Sequence, residues 1–264
     1  MSTFNSFVFF IFEALKTKLF LLFFLLLSFV VKAQQVINIE SRQYDTQDTL
    51  WHGNIELNFN LIQNQNQIIN AGNKINLLKN QDINSYLFIN EFNLVRANAN
   101  NLALNGYQHL RYKRAIKPYL SGEAFAQTQF NEQIGLKFRG LLGAGPRLRI
   151  LYADSMKVFT GAMWMYEYEK TTDELVNNVK NRMSFYLSFL YFKEKHFNFD
   201  LVCYYQPDLI DFGDFRLLTE LKAEWRITQK LSFRFGLIQN YNSLPAKGFP
   251  NNTLNVRNAF GYRI

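Results

Sequence analysis

Charged side chains alternate with apolar ones along residues 215–227, and this row is the part of the sequence best suited to chemistry. One set of alternate positions is apolar or small, and the other carries Arg216, Glu220, Lys222, Glu224 and Arg226. Because successive side chains of a β-strand point to opposite faces, these five charges share one face. Arg182 and Arg234 belong to the same face of neighbouring predicted strands.

These seven side chains could serve two kinds of function. Opposite charges could pair across an inner wall and fill a narrow barrel, because buried charges are tolerated only when they are paired. An arginine-rich wall could instead line a small pore that favours anionic solutes. We take the filled or constricted interior as the leading interpretation and the narrow solute or anion-preferring channel as its alternative.

The sequence offers no catalytic set. Its three histidines are His52, His109 and His196, and none belongs to a serine-containing nucleophile motif. His109 shares the parity of Tyr107 and Arg111, so we expect a hydrogen-bonded histidine inside the fold. We therefore expect no enzyme activity, and a lipid-modifying outer-membrane enzyme is the least favoured alternative.

Metal and cofactor sites are not expected either. Cys203 is the single cysteine, which excludes an internal disulfide framework and a cysteine-based metal cluster. Asp173 and Glu174 are too few to define a calcium site. The glycine-rich stretch 140–147, GLLGAGPR, is not followed by the helix that a phosphate-binding loop requires. Its glycines are expected to mark a bend, a bulge or a crowded inner wall.

The same alternation recurs along most of the chain and predicts an all-β protein. Twelve segments follow a two-residue period: 53–62, 68–78, 84–95, 102–112, 119–130, 134–144, 157–168, 182–192, 197–206, 215–227, 231–241 and 254–264. Twelve is an even number, as bacterial single-chain barrels require, and ten or fourteen strands are the alternatives. The last segment carries Leu254, Val256, Phe260, Tyr262 and Ile264 on one parity.

The aromatic content indicates where such strands reside. The chain contains 27 Phe and 14 Tyr, and many of them fall on the apolar parity. Strands of a membrane barrel show lipid an apolar face with aromatic girdles, and the charged face points inward because Arg or Lys at the bilayer midplane costs about 2–4 kcal/mol. We therefore predict a transmembrane, antiparallel, up-and-down β-barrel at residues 50–264, in the outer membrane. Further charges are expected inside it, at Lys137, Arg139, Glu167 and Glu169.

The start of the chain has the features of an export signal. Residues 19–31 are apolar apart from Ser28, are preceded by Lys16 and Lys18, and lead to Ala33. We predict a signal peptide at residues 1–33, a short periplasmic segment at 34–49, and the barrel thereafter. The alternative is a membrane anchor, but each apolar half is shorter than the ~20 residues of a spanning helix.

The connections predict an orientation. The longest lie near 171–180, 207–214 and 242–252, after the seventh, ninth and eleventh strands. Barrels of this class have long extracellular loops and short periplasmic turns. We therefore expect these three loops outside the cell and both termini in the periplasm.

Charge and composition limit the partners. The formal net charge is +8, but the basic residues are dispersed among acidic ones and form no stripe suited to nucleic acid. The expected partners are membrane lipid, outer-leaflet glycolipid and the barrel-assembly machinery during insertion. We expect a monomer, and a soluble lipid-binding barrel in the periplasm is a minor alternative.

Several motifs resemble one family. They are LWHGNIELNF at the first strand, LLGAGPRLRI followed by VFTGAMWMYEYEK, RMSFYLSF, ITQKLSFRFGL, and the closing SLPAKGFPNNTLNVRNAFGYRI. In these motifs the chain is similar to the uncharacterised family of salt-induced outer-membrane β-barrel proteins. The matching positions are Trp51, Gly53, Gly143, Gly145, Gly161, Tyr166, Glu167, Pro245, Gly261 and Tyr262. The resemblance implies an outer-membrane barrel with no assigned activity.

Overall fold

A computed structural model describes residues 36–40, 50–98, 100–172, 178–193 and 196–262. The predicted signal peptide at residues 1–33 lies outside the described residues, and so do Arg263 and Ile264. Within the described residues, no helix is both long and apolar enough to span a membrane.

Twelve β-strands form a single antiparallel sheet. They are β1 (Trp51–Gln63), β2 (Gln67–Gln81), β3 (Asn84–Ala97), β4 (Asn100–Lys117), β5 (Leu120–Asn131), β6 (Leu136–Tyr152), β7 (Met156–Thr171), β8 (Asn178–Lys193), β9 (Phe197–Pro207), β10 (Phe215–Arg226), β11 (Leu231–Asn242) and β12 (Asn252–Tyr262). Each strand pairs with its neighbours in sequence, which is the up-and-down order. The predicted all-β fold and the count of twelve strands are confirmed.

The strand β6 is longer than the sequence predicted and contains the whole glycine-rich stretch. It begins at Leu136 and ends at Tyr152 rather than near residue 144. Pro146 lies opposite Gly122 of β5, whereas the pairing with β7 passes from Ala144 to Arg147. Because proline has no backbone N–H to donate, this gap toward β7 accommodates it within the strand.

The longest connections follow β7, β9 and β11, as predicted. Residues 208–214 and 243–251 form two of them, and the third lies partly outside the described residues, at 173–177. The remaining connections have two to four residues, and the one after β5 forms a single 3-10 turn, Glu132–Ile134. We call the end of the sheet with the long connections the loop end, and the opposite end the turn end.

Residues 36–40 show that the sheet curls into a barrel. Val36 packs among residues of β7 to β10, and its backbone N–H donates to Asn240 Oδ1 of β11 at 2.9 Å. Ile39 packs against Leu78 of β2 and Leu87 of β3. A five-residue segment spans at most ~17 Å, so strands near both edges of the sheet must approach it.

These five residues belong to the segment predicted to precede the barrel in the periplasm. The structure buries them inside the curled sheet, because Val36 and Ile39 find apolar neighbours there and Glu40 finds basic ones. The periplasmic location of residues 34–49 stays a prediction.

The two faces of the sheet differ in character. On the outer face, Leu57 is 77% exposed and Phe260 is 71% exposed, and many other large apolar side chains share this face. On the inner face, Glu167 and Arg182 are at most 1% exposed. This distribution is the reverse of that in a water-soluble domain, where charged residues are rarely buried.

The edges of the sheet, β1 and β12, form no backbone ladder with each other within residues 51–63 and 252–262. Their inward side chains nevertheless approach the same space. Glu56 and Asn58 of β1 and Arg257 of β12 line one cavity of about 840 Å³.

Candidate functional site

Six charged side chains meet inside the barrel near its loop end, and we call this group the loop-end cluster. They come from β6, β7, β8, β10 and the connection after β9: Arg139, Glu167, Glu169, Arg182, Asp214 and Arg216. Each is at most 5% exposed. Five of them occupy strand positions that alternate with outward apolar residues, so the two-residue period places them inside.

Glu167 lies at the centre of the loop-end cluster. Its Oε1 accepts hydrogen bonds from Arg216 Nη2 at 3.0 Å and from Arg182 Nε at 3.2 Å. Its Oε2 accepts from Arg216 Nη1 and lies 3.8 Å from Arg139 Nε. One carboxylate thus joins guanidinium groups of three different strands through charge-assisted contacts.

Glu169 and Asp214 supply the remaining negative charge. Glu169 Oε2 lies 2.6 Å from Arg139 Nη2 and 2.8 Å from Arg216 Nη2. Arg182 Nη2 lies 2.9 Å from both carboxylate oxygens of Asp214. Three arginines therefore face three carboxylates, and this balance comes entirely from the strands and one loop.

Asp214 lies in the connection after β9, where two opposing effects set its pKa. Burial alone would raise the pKa of the carboxyl group, but the hydrogen bond from Lys180 and the positive charge of Arg182 hold it below its ordinary value. Asp214 is therefore ionised at neutral pH, as its contacts with two cations require.

A second group, which we call the turn-end cluster, consists of Glu40, Arg111, Glu123 and Arg147. Arg111 Nη1 lies 3.2 Å from Glu40 Oε1 and 3.0 Å from Glu123 Oε2. Arg147 pairs directly with Glu40, and its Nη1 lies 3.9 Å from Glu123 Oε1. Because Glu40 belongs to the N-terminal segment, its removal would leave two buried arginines with one carboxylate.

Glycine makes room for the aromatic part of the turn-end cluster. Arg147 Nη1 donates to the Tyr186 hydroxyl at 3.0 Å. The Tyr186 ring covers Gly161, where an added Cβ would lie 2.3 Å from a ring carbon. The Phe125 ring covers Gly143 of the glycine-rich stretch in the same way, at 2.4 Å. The glycines were predicted to mark a bend, a bulge or a crowded inner wall, and Gly143 lies in a crowded inner wall.

An apolar layer lies between the two clusters. It contains Val36, Met163, Tyr186, Val202, Tyr204 and Leu218. A cavity of about 30 Å³ next to this layer is lined by Val36, Arg139 and Arg216, among others. Its volume suits one or two water molecules, so little space remains here between the clusters.

The structure distributes the seven predicted charged residues over three environments. Arg182 and Arg216 meet in the loop-end cluster. Glu220 accepts from Asn38 Nδ2 at 2.9 Å and lies 2.6 Å from Lys222 Nζ, whose side chain is half exposed. Three residues toward the turn end are more exposed and take no part in either cluster: Glu224, Arg226 and Arg234.

Other charges follow the predicted parity only in part. Arg139, Glu167 and Glu169 are buried inside, as expected. Lys137 is exposed, because the register of β6 with β7 shifts between Leu136 and Phe138.

Sequence reasoning missed the turn-end cluster and Asp214. The alternation in β5 and β6 already places Glu123 and Arg147 inward, and that signal could have identified them. Glu40 and Asp214 lie outside the strands, so no periodicity marks them.

His109 is buried, and both of its ring nitrogens have partners. Nδ1 lies 2.8 Å from Gln127 Oε1, and Arg111 Nε lies 3.3 Å from Nε2. Across the described part of the chain, no three histidine, cysteine, aspartate or glutamate side chains are grouped so as to hold a metal ion.

Comparisons with known proteins assign a family. The model of a family described as "Protein of unknown function, DUF481" matches residues 54–264. No curated protein matched the sequence. One solved structure, a NanC porin in a rhombohedral crystal form, superposes with a TM-score of 0.42 at 8% sequence identity, over 74% of this chain and 94% of that chain. Because the family match extends from β1 to the final residue, the chain belongs to the DUF481 family of proteins of unknown function.

Proposed function

We propose that the chain is an integral protein of a Gram-negative outer membrane, where it forms a blocked β-barrel with a structural role in the envelope. Membrane lipid and outer-leaflet glycolipid cover its apolar outer face, and the barrel-assembly machinery inserts it. The protein acts as a monomer and is not an enzyme. It belongs to the salt-induced outer-membrane proteins that its sequence motifs resemble.

The character of the two faces supports the membrane location. Exposed apolar side chains such as Leu57, Leu110 and Trp164 would each be unfavourable in water, whereas lipid solvates them. The buried arginines would be costly at a lipid face, at about 2–4 kcal/mol each near the midplane, but they lie on the inner face.

One observation supports the blocked barrel: paired charges and the N-terminal segment fill its interior. Ion pairs tie together β6, β7, β8 and β10 at the loop end, and Glu40 ties the N-terminal segment to β4 and β6. Val36 and Ile39 fill the space between the walls. A pore would need these groups to move, and leaving a buried charge unpaired costs about 3–5 kcal/mol.

A narrow anion-preferring channel is the second candidate. One observation favours it: five basic and two acidic side chains line a cavity of about 670 Å³ at the turn end. An anion could enter there, but it would then meet the turn-end cluster.

Single-channel recording tests the two candidates. The chain from Gln34 to Ile264 is refolded in detergent and inserted into a planar bilayer under a salt gradient. We expect a folded protein without discrete current steps. Steps with an anion preference would replace the blocked barrel with the channel, and a shift in electrophoretic mobility on boiling serves as the control for folding.

Cell fractionation tests the location. We expect the protein in the outer-membrane fraction, resistant to carbonate and released only by detergent. Release by salt or carbonate would contradict the membrane barrel and favour the soluble periplasmic alternative.

A further inference from the structure

The cavity at the turn end has a charge composition that neither ion-pair cluster shares. Its basic side chains are Lys113, Lys117, Arg147, Arg149 and Lys157, and its acidic ones are Glu40 and Asp200. The lining therefore carries an excess of three positive charges, whereas each cluster has as many carboxylates as arginines. An excess of positive charge in a partly enclosed cavity attracts anions, because low-dielectric walls concentrate the field.

Two of the cations meet at one aromatic ring. The Arg149 guanidinium lies 4.3 Å from the centre of the Tyr152 ring, and Lys157 Nζ lies 4.4 Å from the same centre. The two positive groups are therefore at most about 9 Å apart, the sum of those two distances. Lys157 Nζ also donates to the Tyr152 hydroxyl at 3.1 Å. Like charges at this separation repel, and an anion bound next to both cations would offset the repulsion.

The cavity also offers apolar surface. Ile116, Tyr119, Phe159, Leu190 and Phe192 line it together with the basic groups. Its volume of about 670 Å³ lies within the range of ~300–1,000 Å³ that is typical of small-molecule sites. An inorganic ion would not cover these apolar side chains.

The floor of the cavity is closed by the ion pair between Arg147 and Glu40. Arg147 is 8% exposed and Glu40 is 7% exposed, so both are buried below the more accessible Lys117 and Arg149. A ligand would therefore contact the accessible cations first and be stopped at this pair.

We propose that the turn-end cavity is a binding site for a small organic anion that carries a phosphate or carboxylate group together with an apolar part. Arg149 and Lys157 bind the anionic group, and the aromatic and aliphatic side chains cover the apolar part. Binding requires no opening of the interior, so the site goes beyond the blocked barrel.

Titration calorimetry with phenyl phosphate tests the site on the full chain in a non-ionic detergent. We expect saturable binding, at least about tenfold weaker in the double variant R149Q/K157Q, because two charge-assisted contacts are lost. The matched control is R226Q/K230Q, which removes two positive charges near the same end of the barrel but outside the cavity lining. Its affinity should stay within about twofold of the unmodified protein, as expected for screened charges.

Two further ligands define the chemistry. Inorganic phosphate should bind about tenfold more weakly than phenyl phosphate, because it cannot use the apolar wall. Competition with dihexanoyl phosphatidic acid separates a lipid phosphate from a small free one: displacement at lower concentration than phenyl phosphate assigns the site to lipid head groups.

Absence of saturable binding by correctly folded protein would overturn the proposal. So would an unchanged affinity in R149Q/K157Q, or an equal loss in R226Q/K230Q. If the first double variant does not fold, Lys117→Gln on β4 provides a second test, with a smaller loss of affinity expected. Because the titration needs neither a bilayer nor a current, its failure is distinguishable from failure of the blocked barrel.

Discussion

The loop-end and turn-end clusters place similar ion pairs inside the same barrel, yet they differ in where their carboxylates come from. In the loop-end cluster, Glu167 and Glu169 belong to β7, and the strands hold them whatever the N-terminal segment does. In the turn-end cluster, Glu40 belongs to a segment that joins no strand. Glu167 and Glu169 are therefore fixed in the wall, whereas the turn-end cluster is complete only while residues 36–40 are docked.

One barrel thus combines ion pairs that its strands hold with ion pairs that depend on a docked segment. A carboxylate on a strand is positioned by the backbone ladder, so its withdrawal requires the sheet to unfold. A carboxylate on an undocked segment can return to water. The stability cost of losing each carboxylate should therefore differ, even though both are buried.

The largest effect should come from Glu167→Gln. The change leaves three buried guanidinium groups with two carboxylates, and unpaired buried charges cost about 3–5 kcal/mol. The free energy of unfolding in urea, measured in detergent micelles, gives the value. Glu224→Gln on β10 is the matched control, because this partly exposed glutamate should change stability by less than about 0.5 kcal/mol. Equal losses in both variants would contradict the central role of Glu167.

Glu40→Gln should have a smaller effect, about 1–3 kcal/mol, because the N-terminal segment can leave and allow water to reach Arg111 and Arg147. Limited proteolysis should then cut the chain near residue 40 faster than in the unmodified protein. A loss of stability as large as that of Glu167→Gln, with no change in proteolysis, would show that the two clusters are equally fixed.

Gly161→Ala should perturb the turn-end cluster alone, by about 1–3 kcal/mol, because the added methyl group overlaps the Tyr186 ring. The matched control is Gly236→Ala in β11, where nothing lies within 4 Å of the added Cβ. Unfolding in urea provides the comparison. An indistinguishable stability for the two variants would mean that Tyr186 moves aside without cost.

The smallest effect should be on the acid dependence of stability, through Asp214 of the loop-end cluster. The folded-state pKa of Asp214 is below its ordinary value of 3.8, so its contribution to stability is present above that value and is lost as the pH falls through the folded-state pKa. Lys180, Arg182, Arg216 and the nearby Asp208 are the charged groups around it. Unfolding measured from neutral pH into acid should therefore show a weaker acid dependence in Asp214→Asn. The same acid dependence in both proteins would exclude Asp214 as a contributor.

Much of the fold could be predicted because a strand with one apolar face and one charged face alternates the two kinds of side chain at every second residue. That rule identified all twelve strands and placed Arg182, Arg216 and Glu167 on the inner face. It failed at Lys137, where a shift of register intervenes, and it ended β6 near residue 144 although the strand continues to Tyr152. It also gave no measure of exposure along a strand, so Arg226 and Arg216 looked equivalent.

The all-β fold and the face on which most charges lie follow from the sequence alone, because both depend on a local period of two residues. The up-and-down order follows from the short connections between consecutive strands. Which charges meet depends on the tertiary structure. Glu167 of β7 contacts Arg216 of β10, and these two strands are not neighbours in the sheet. Glu40 contacts Arg111 and Arg147, which lie more than seventy residues away in the chain. Such contacts depend on the curvature of the whole sheet and on the path of a segment without periodicity, and neither is encoded in the alternation of a single strand.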